Sequence, residues 1–201
     1  EGGRRGAVLL YLSAAACAGL FAALTISQCR TWQSSATLWR HALRYGASES
    51  PNAHNQLGLA MAAEGKVTEA ISEFRTAIAL APAYDEPHSN LGVAFGEQGR
   101  MGEAAVEFGE AIRLNPKYAE AYNNLGTVLV KQGDLRQALE KYATSLRIDP
   151  EYRGALENLK ALADSGKLKP DLAGPAAGIL ERPRDAAAFD ALAIALRKSS
   201  N

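Results

Sequence analysis

Residues 85–118 carry the stretch that decides the fold, DEPHSNLGVAFGEQGRMGEAAVEFGEAIRLNPKY. Its pattern occurs one 34-residue block earlier, at 51–84, and one block later, at 119–152, with no insertion between the blocks. The positions that recur are Leu57, Leu91 and Leu125; Gly58, Gly92 and Gly126; Gly65, Gly99 and Gly133; Phe74, Phe108 and Tyr142; and Pro82, Pro116 and Pro150. A constant period of this length predicts a solenoid, in which each repeat buries its apolar surface against its neighbours.

Each block predicts two antiparallel helices. Leu57 and Met61 are four residues apart and share one face of the first helix, with Gly58 where the partner helix comes close. Gly65 ends this helix because glycine tolerates left-handed geometry, and Pro82 separates one repeat from the next. The apolar stripe of the second helix consists of Val67, Ala70, Ile71, Phe74, Ala77 and Ile78.

Composition excludes several classes of protein. The 201 residues contain 22 Lys and Arg against 22 Asp and Glu, so a strongly basic nucleic-acid binder is excluded and no nucleic-acid partner is expected. An apolar fraction of 47% excludes a highly charged disordered chain, and two cysteines exclude a disulfide-built secreted scaffold. The repeats at 51–152 are nevertheless acidic, because they carry nine basic against fourteen acidic residues.

The segment 6–29 contains no charged residue and predicts a transmembrane helix in a lipid bilayer. It is long enough to cross a hydrocarbon core of about 30 Å at about 1.5 Å per residue, and Arg4, Arg5 and Arg30 bracket it. A cleaved signal peptide and a buried soluble helix are the alternatives. The apolar run continues well past Cys17, which favours the membrane span over a signal.

The flanks of the array are degenerate versions of the repeat. Residues 30–50 form a junction and a half repeat, in which Ser35, Trp39 and Ala42 fall where the second helix of the first block has its stripe. Residues 153–165 predict a capping helix, in which Lys160 replaces the recurring glycine. Three prolines and three glycines predict a loop at 166–184, and an apolar stripe predicts a final helix at 185–199.

The repeat resembles the tetratricopeptide repeat (TPR), with His54, His88 and Tyr122 at its first aromatic position. The resemblance implies an α-solenoid of three full helix-turn-helix repeats, with a degenerate half repeat at each end. Together with the transmembrane helix predicted at the N-terminus, the expected fold is all-α. The first helices of TPR proteins line a concave face, so the resemblance also implies a scaffold that binds a protein or an extended peptide there.

Seven residues are the candidate binding residues of this groove. At the fifth and sixth positions of the repeat, amide side chains both donate and accept hydrogen bonds, so a row of them suits an extended peptide backbone. A similar row occurs in the TPR region of O-GlcNAc transferases, whereas the alternative role of these amides is to help repeats stack. The candidates are Asn55, Gln56, Asn90, Asn123, Asn124, Lys131 and Asn158.

The carboxylate clamp of chaperone-binding TPR domains requires several basic residues in the groove. Here the ninth positions are Leu59, Val93, Thr127 and Ala161, and Lys131 is the only base on the groove side. The sequence therefore argues against such a clamp.

The sequence contains no motif for catalysis, a cofactor or a metal. Gly65-Lys66 and Gly166-Lys167 lack the other residues of a phosphate-binding loop, and Cys17 and Cys29 lie in or beside the apolar run. His54 and His88 have no second ligand at a useful spacing, so packing is the expected role. We expect that this chain is not an enzyme.

The junction after the apolar run resembles that of multi-spanning, TPR-tailed O-mannosyltransferase-like glycosyltransferases. The residues concerned are Arg30-Thr-Trp32, the half repeat, and Pro51-Asn52-Ala53-His54. The resemblance implies a non-catalytic C-terminal tail, catalytic loops upstream of Glu1, and repeats outside the cytoplasm. The alternatives are an independent single-span or lipidated TPR adaptor for a membrane complex, and a soluble periplasmic TPR protein.

Overall fold

The computed structural model describes residues 35–46 and 48–199, and this part of the chain contains helices and no strand. The helices, numbered here in chain order, are α1 Ser35–Arg44, α2 Pro51–Ala63, α3 Val67–Leu80, α4 Asp85–Glu97, α5 Met101–Leu114, α6 Ala119–Gln132, α7 Leu135–Ile148, α8 Arg153–Asp164, α9 Pro170–Glu181 and α10 Ala186–Lys198. The predicted membrane span at 6–29 lies outside the described residues. Within them, no helix is both long and apolar enough to cross a bilayer.

The described helices form the predicted all-α solenoid. The helices of each pair, α2 with α3, α4 with α5 and α6 with α7, pack against each other, and each second helix packs on the first helix of the next pair. The first helices α2, α4, α6 and α8 also contact one another in order, so together they form one surface. At the N-terminal end α1 packs on α2 and buries Ala36.

Two recurring features fix the shape of each pair. Gly65, Gly99 and Gly133 follow the first helices with φ between 75° and 85°, a left-handed conformation that glycine adopts without steric cost. Within each pair the recurring glycine of the first helix lies directly under the aromatic ring of the second. The first helix therefore lies closer to the second than any side chain at this position would allow.

The prediction of a loop at 166–184 is wrong, because residues 170–181 form the helix α9. Pro170 occupies its first turn, where a missing N–H costs nothing, whereas Pro175 lies inside the helix and removes one backbone hydrogen bond. Burial of apolar side chains compensates for this loss. The buried residues are Leu172, Ala176 and Ile179, which stand 102 residues, or three repeats, after Ala70, Phe74 and Ala77.

The prediction of a half repeat at the C-terminal end of the array is therefore also wrong. Helices α8 and α9 form a fourth helix pair, and α8 is not a single capping helix. The last helix, α10, packs on both α9 and α7. Nη2 of Arg136 in α7 donates a hydrogen bond of 2.9 Å to the carbonyl oxygen of Leu196, and the guanidinium of Arg147 lies 5.4 Å from the ring centre of Phe189.

Candidate functional site

The candidate site is the surface that the first helices α2, α4 and α6 present, which we call the groove. Stacked helix pairs of this kind curve so that their first helices line the concave side. The groove consists of the sixth, ninth and thirteenth residues of the three repeats, each partly or fully exposed: Gln56, Leu59, Ala63, Asn90, Val93, Glu97, Asn124, Thr127 and Lys131.

The amides at the fifth position lie beneath the groove and not in it. Asn55 is fully buried, and its Oδ1 accepts a hydrogen bond of 2.8 Å from Nδ2 of Asn90 in the next repeat. Asn123 is also buried, and its Oδ1 accepts an equivalent bond of 2.8 Å from Nδ2 of Asn158. These two bonds join successive repeats, so four of the predicted binding residues have a clear role in stacking.

Two groove amides keep hydrogen-bonding capacity. No described residue bonds the side chain of Gln56. Asn124 accepts from Nδ2 of its neighbour Asn123 at 3.3 Å, and no described residue accepts from its own Nδ2. The structure therefore divides the predicted row, leaving Gln56 and Asn124 available to a ligand.

The groove also contains an aliphatic strip, whose residues are not among the seven predicted binding residues. Leu59 and Val93 are each 40% exposed, although they are large apolar residues. They occupy equivalent positions on the adjacent helices α2 and α4, and Thr127 continues the row on α6. An aliphatic residue at a groove position is a signal in the sequence, because a solvated helix face normally carries polar residues there.

Carboxylates dominate the charge around the groove. Glu86 and Glu120 are exposed in the first turns of α4 and α6, which form one edge of the groove, and Glu97 lies at the opposite edge. Lys131, at the C-terminal end of α6, is exposed and is the only basic residue among the groove residues defined above.

Two tyrosines near Glu86 and Glu120 have raised pKa values. The pKa of Tyr118 is raised to about 12, first by burial and then by the carboxylates of Glu120 and Glu86. Burial also raises the pKa of Tyr84, and Glu86 adds to this by accepting a hydrogen bond of 2.9 Å from the hydroxyl of Tyr84. This edge therefore favours positive charge.

The two histidines within the repeats are paired with carboxylates of the same repeat. Nδ1 of His54 lies 2.6 Å from Oε2 of Glu73, and Nδ1 of His88 lies 2.7 Å from Oε2 of Glu107. Both histidines are mostly buried, and each contact ties the first helix of a pair to the second. This arrangement agrees with the packing role expected of them.

Clefts also lie among the last helices of the described residues. A cleft of about 660 Å³ opens between the turn that precedes α8 and the turn that precedes α10. Its charged residues pair with one another, since Arg182 bonds Asp185 at 3.0 Å and Arg184 bonds Glu151. The cleft therefore offers little free charge to a ligand.

Family models and solved structures identify the repeats. A model described as "TPR repeat" matches residues 58–99 and 97–133, and one described as "Tetratricopeptide repeat" matches 119–152. The crystal structure of MamA is similar over 81% of this chain and 85% of its own, at 22% identity and a TM-score of 0.56.

Two similar solved structures contain a peptide. The first TPR of Spaghetti (RPAP3), bound to the HSP90 peptide SRMEEVD, is 21% identical over 60% of this chain and 96% of its own, with a TM-score of 0.57. The second TPR domain of human RPAP3, in complex with the HSP70 peptide SGPTIEEVD, is 25% identical over 56% and 98%, with a TM-score of 0.52. No curated protein matches the chain. Residues 58–152 of this chain are therefore tetratricopeptide repeats, stacked as the solenoid that these structures share.

Proposed function

We propose that this chain is a non-catalytic scaffold whose groove binds an extended segment of a partner protein. The observation that carries the proposal is the aliphatic strip of Leu59 and Val93, which is exposed beside two amides with hydrogen-bonding capacity. No described residue bonds the side chain of Gln56 or accepts from Nδ2 of Asn124. Apolar side chains of a ligand gain about 25 cal/mol for each Å² that they bury on such a strip. The amides satisfy the backbone groups of the ligand. The peptide complexes of two similar TPR domains support the binding of a peptide by this fold.

Selection from a random dodecapeptide library displayed on phage tests the proposal, with the full chain kept in detergent. We expect the wild-type chain to enrich peptides that the variant Leu59→Ser/Val93→Ser does not. Val106→Ser is the matched control, because Val106 is 64% exposed on α5, a second helix away from the groove. Equal enrichment of peptides by the wild type, the double variant and the control variant would refute binding in the groove.

The second part of the proposal is that residues 6–29 anchor the array in a bilayer, with the repeats outside the cytoplasm. The absence of charge over 24 residues and the resemblance of the junction support it. Carbonate extraction of membranes should retain the full chain and release a chain that begins at residue 31. Protease added to sealed, right-side-out vesicles should digest the repeats. Protection of the repeats would place them on the cytoplasmic side.

The chain is either the tail of a membrane glycosyltransferase or an independent adaptor, and we favour the tail because of the junction at Arg30-Thr-Trp32. The sequence that precedes Glu1 in the gene discriminates between the two. Further apolar spans upstream would support the tail, whereas an initiating methionine directly before Glu1 would support the adaptor.

A further inference from the structure

We infer that the groove selects an extended segment that carries aliphatic side chains together with lysine or arginine, and that it rejects acidic segments. This inference rests on the proposed function, because it specifies the ligand of the same groove. It follows from the charges at the edges of the groove and from the spacing of the aliphatic strip.

The charges at the groove edges are unevenly distributed. Exposed carboxylates occupy both ends of α4, with Glu86 in its first turn and Glu97 in its last. Glu120 repeats the first of these positions on α6, and Lys131 is the one basic residue among the nine groove residues defined above. A cationic ligand side chain therefore meets complementary charge along most of the groove, whereas an acidic ligand meets repulsion.

The helix termini do not cancel this charge. The N-terminus of a helix carries about half a positive charge, which is less than the full negative charge of Glu86 or of Glu120. The raised pKa of Tyr118 agrees with this charge distribution, since both carboxylates stabilise its protonated form. The edge of the groove at the starts of α4 and α6 is therefore the place for the cationic side chain.

The aliphatic strip sets the spacing of the apolar side chains. Leu59 and Val93 stand at equivalent positions on α2 and α4, which are in contact. Packed helices have axes about 8–10 Å apart, and an extended chain in the polyproline II conformation covers about 9 Å in three residues. Apolar residues three positions apart in the ligand therefore reach Leu59 and Val93 together.

The dodecapeptides selected on phage by the full chain test this composition directly. We expect the groove-dependent peptides to contain more Lys and Arg than the unselected library, fewer Asp and Glu, and apolar residues three positions apart. Groove-dependent peptides enriched in Asp and Glu would overturn this inference and leave the proposed function intact. Failure to obtain any peptide that Leu59→Ser/Val93→Ser loses would overturn both.

A charge-matched pair of variants then locates the cation. With the best-enriched peptide, synthesised with an amidated C-terminus, we expect Glu86→Gln/Glu120→Gln to weaken binding about threefold to tenfold, and added salt to reduce this difference. Glu69→Gln/Glu181→Gln removes the same net charge from exposed positions on α3 and α9, and it should leave affinity unchanged. Equal weakening by both pairs, or by neither, would overturn the inference.

Discussion

Gly92 and Phe108 occupy space that only a glycine and an aromatic ring can share. A β-carbon built on Gly92 would lie 2.8 Å from Cε1 of Phe108 and 2.9 Å from Cδ1, well inside ordinary van der Waals contact. The fourth helix pair shows the converse, because Lys160 stands at the glycine position and Ala176 at the ring position. Removal of the ring is what makes room for a side chain there.

We predict that Gly92→Ala lowers the free energy of unfolding by about 1–3 kcal/mol, because the buried ring of Phe108 must move to admit the methyl group. Chemical denaturation of the full chain in detergent measures the change. Gly109→Ala is the matched control: Gly109 lies in α5 with no atom within 4 Å of its would-be β-carbon, so alanine there should stabilise the helix by about 0.5–1 kcal/mol. Equal effects of both substitutions would contradict the close contact.

We predict that Asn90→Ala destabilises the array, whereas Gln56→Ala does not. Asn90 donates to the fully buried Oδ1 of Asn55, so its removal leaves a buried acceptor without its donor, at a cost of about 1–3 kcal/mol. Gln56 has no such bond, and its substitution should change stability by less than about 0.5 kcal/mol. Denaturation midpoints check both values, and similar midpoints would remove the stacking role of Asn90. Binding studies of the amide row should therefore use Gln56 and Asn124.

We predict from the raised pKa of Tyr118 that the folded chain loses stability at alkaline pH. Its pKa is about 12 in the folded chain and about 10 when unfolded, so only the unfolded form loses the proton between these values. The stabilisation is complete below pH 10 and is lost as pH rises towards 12. Tyr118→Phe should flatten the dependence of stability on pH in this window. The difference in phenolate absorbance between the wild type and this variant should appear only as pH approaches 12. Titration of that difference near pH 10 would contradict the burial of the phenol.

Pro175 makes α9 less stable than its apolar contacts allow. We predict that Pro175→Ala raises the free energy of unfolding by about 1–3 kcal/mol, because alanine restores a backbone hydrogen bond inside the helix. Pro170→Ala is the control, since proline in the first turn costs no such bond and its replacement should not stabilise the chain. Thermal unfolding of both variants checks the difference, and a gain at Pro170 as large as at Pro175 would point to another cause.

Much of the array follows from the sequence, because its repeat interfaces use the same residues each time. The spacing of Gly58, Phe74 and Pro82 places a helix pair, its closest contact and its end. The same spacing also contains α9, since Leu172 and Ile179 continue the register of the earlier second helices. The density of Gly and Pro suggested a loop, but burial of those two side chains outweighs the intrinsic cost of these residues in a helix.

The groove was harder to predict than the fold. Asn55 and Gln56 are neighbouring amides in the sequence, yet Asn55 is buried between repeats and Gln56 is partly exposed. A helical turn of 3.6 residues rotates adjacent side chains by about 100°, so the precise rotation of each helix decides which of the two faces a ligand. The packing of α10 on α7 is likewise invisible locally, because it joins segments about fifty residues apart.

That long-range contact divides the chain into regions that open differently. From α2 to α6 each helix has its main contacts with helices one or two places away, so partial unfolding can begin at the end near α1 and advance one repeat at a time. Release of α10 instead uncovers α7 and α9 together, so the last four helices must open as one cooperative block. Hydrogen exchange should therefore be graded along α2 to α5 and nearly uniform from residue 135 onward, with the groove located mainly on the graded side.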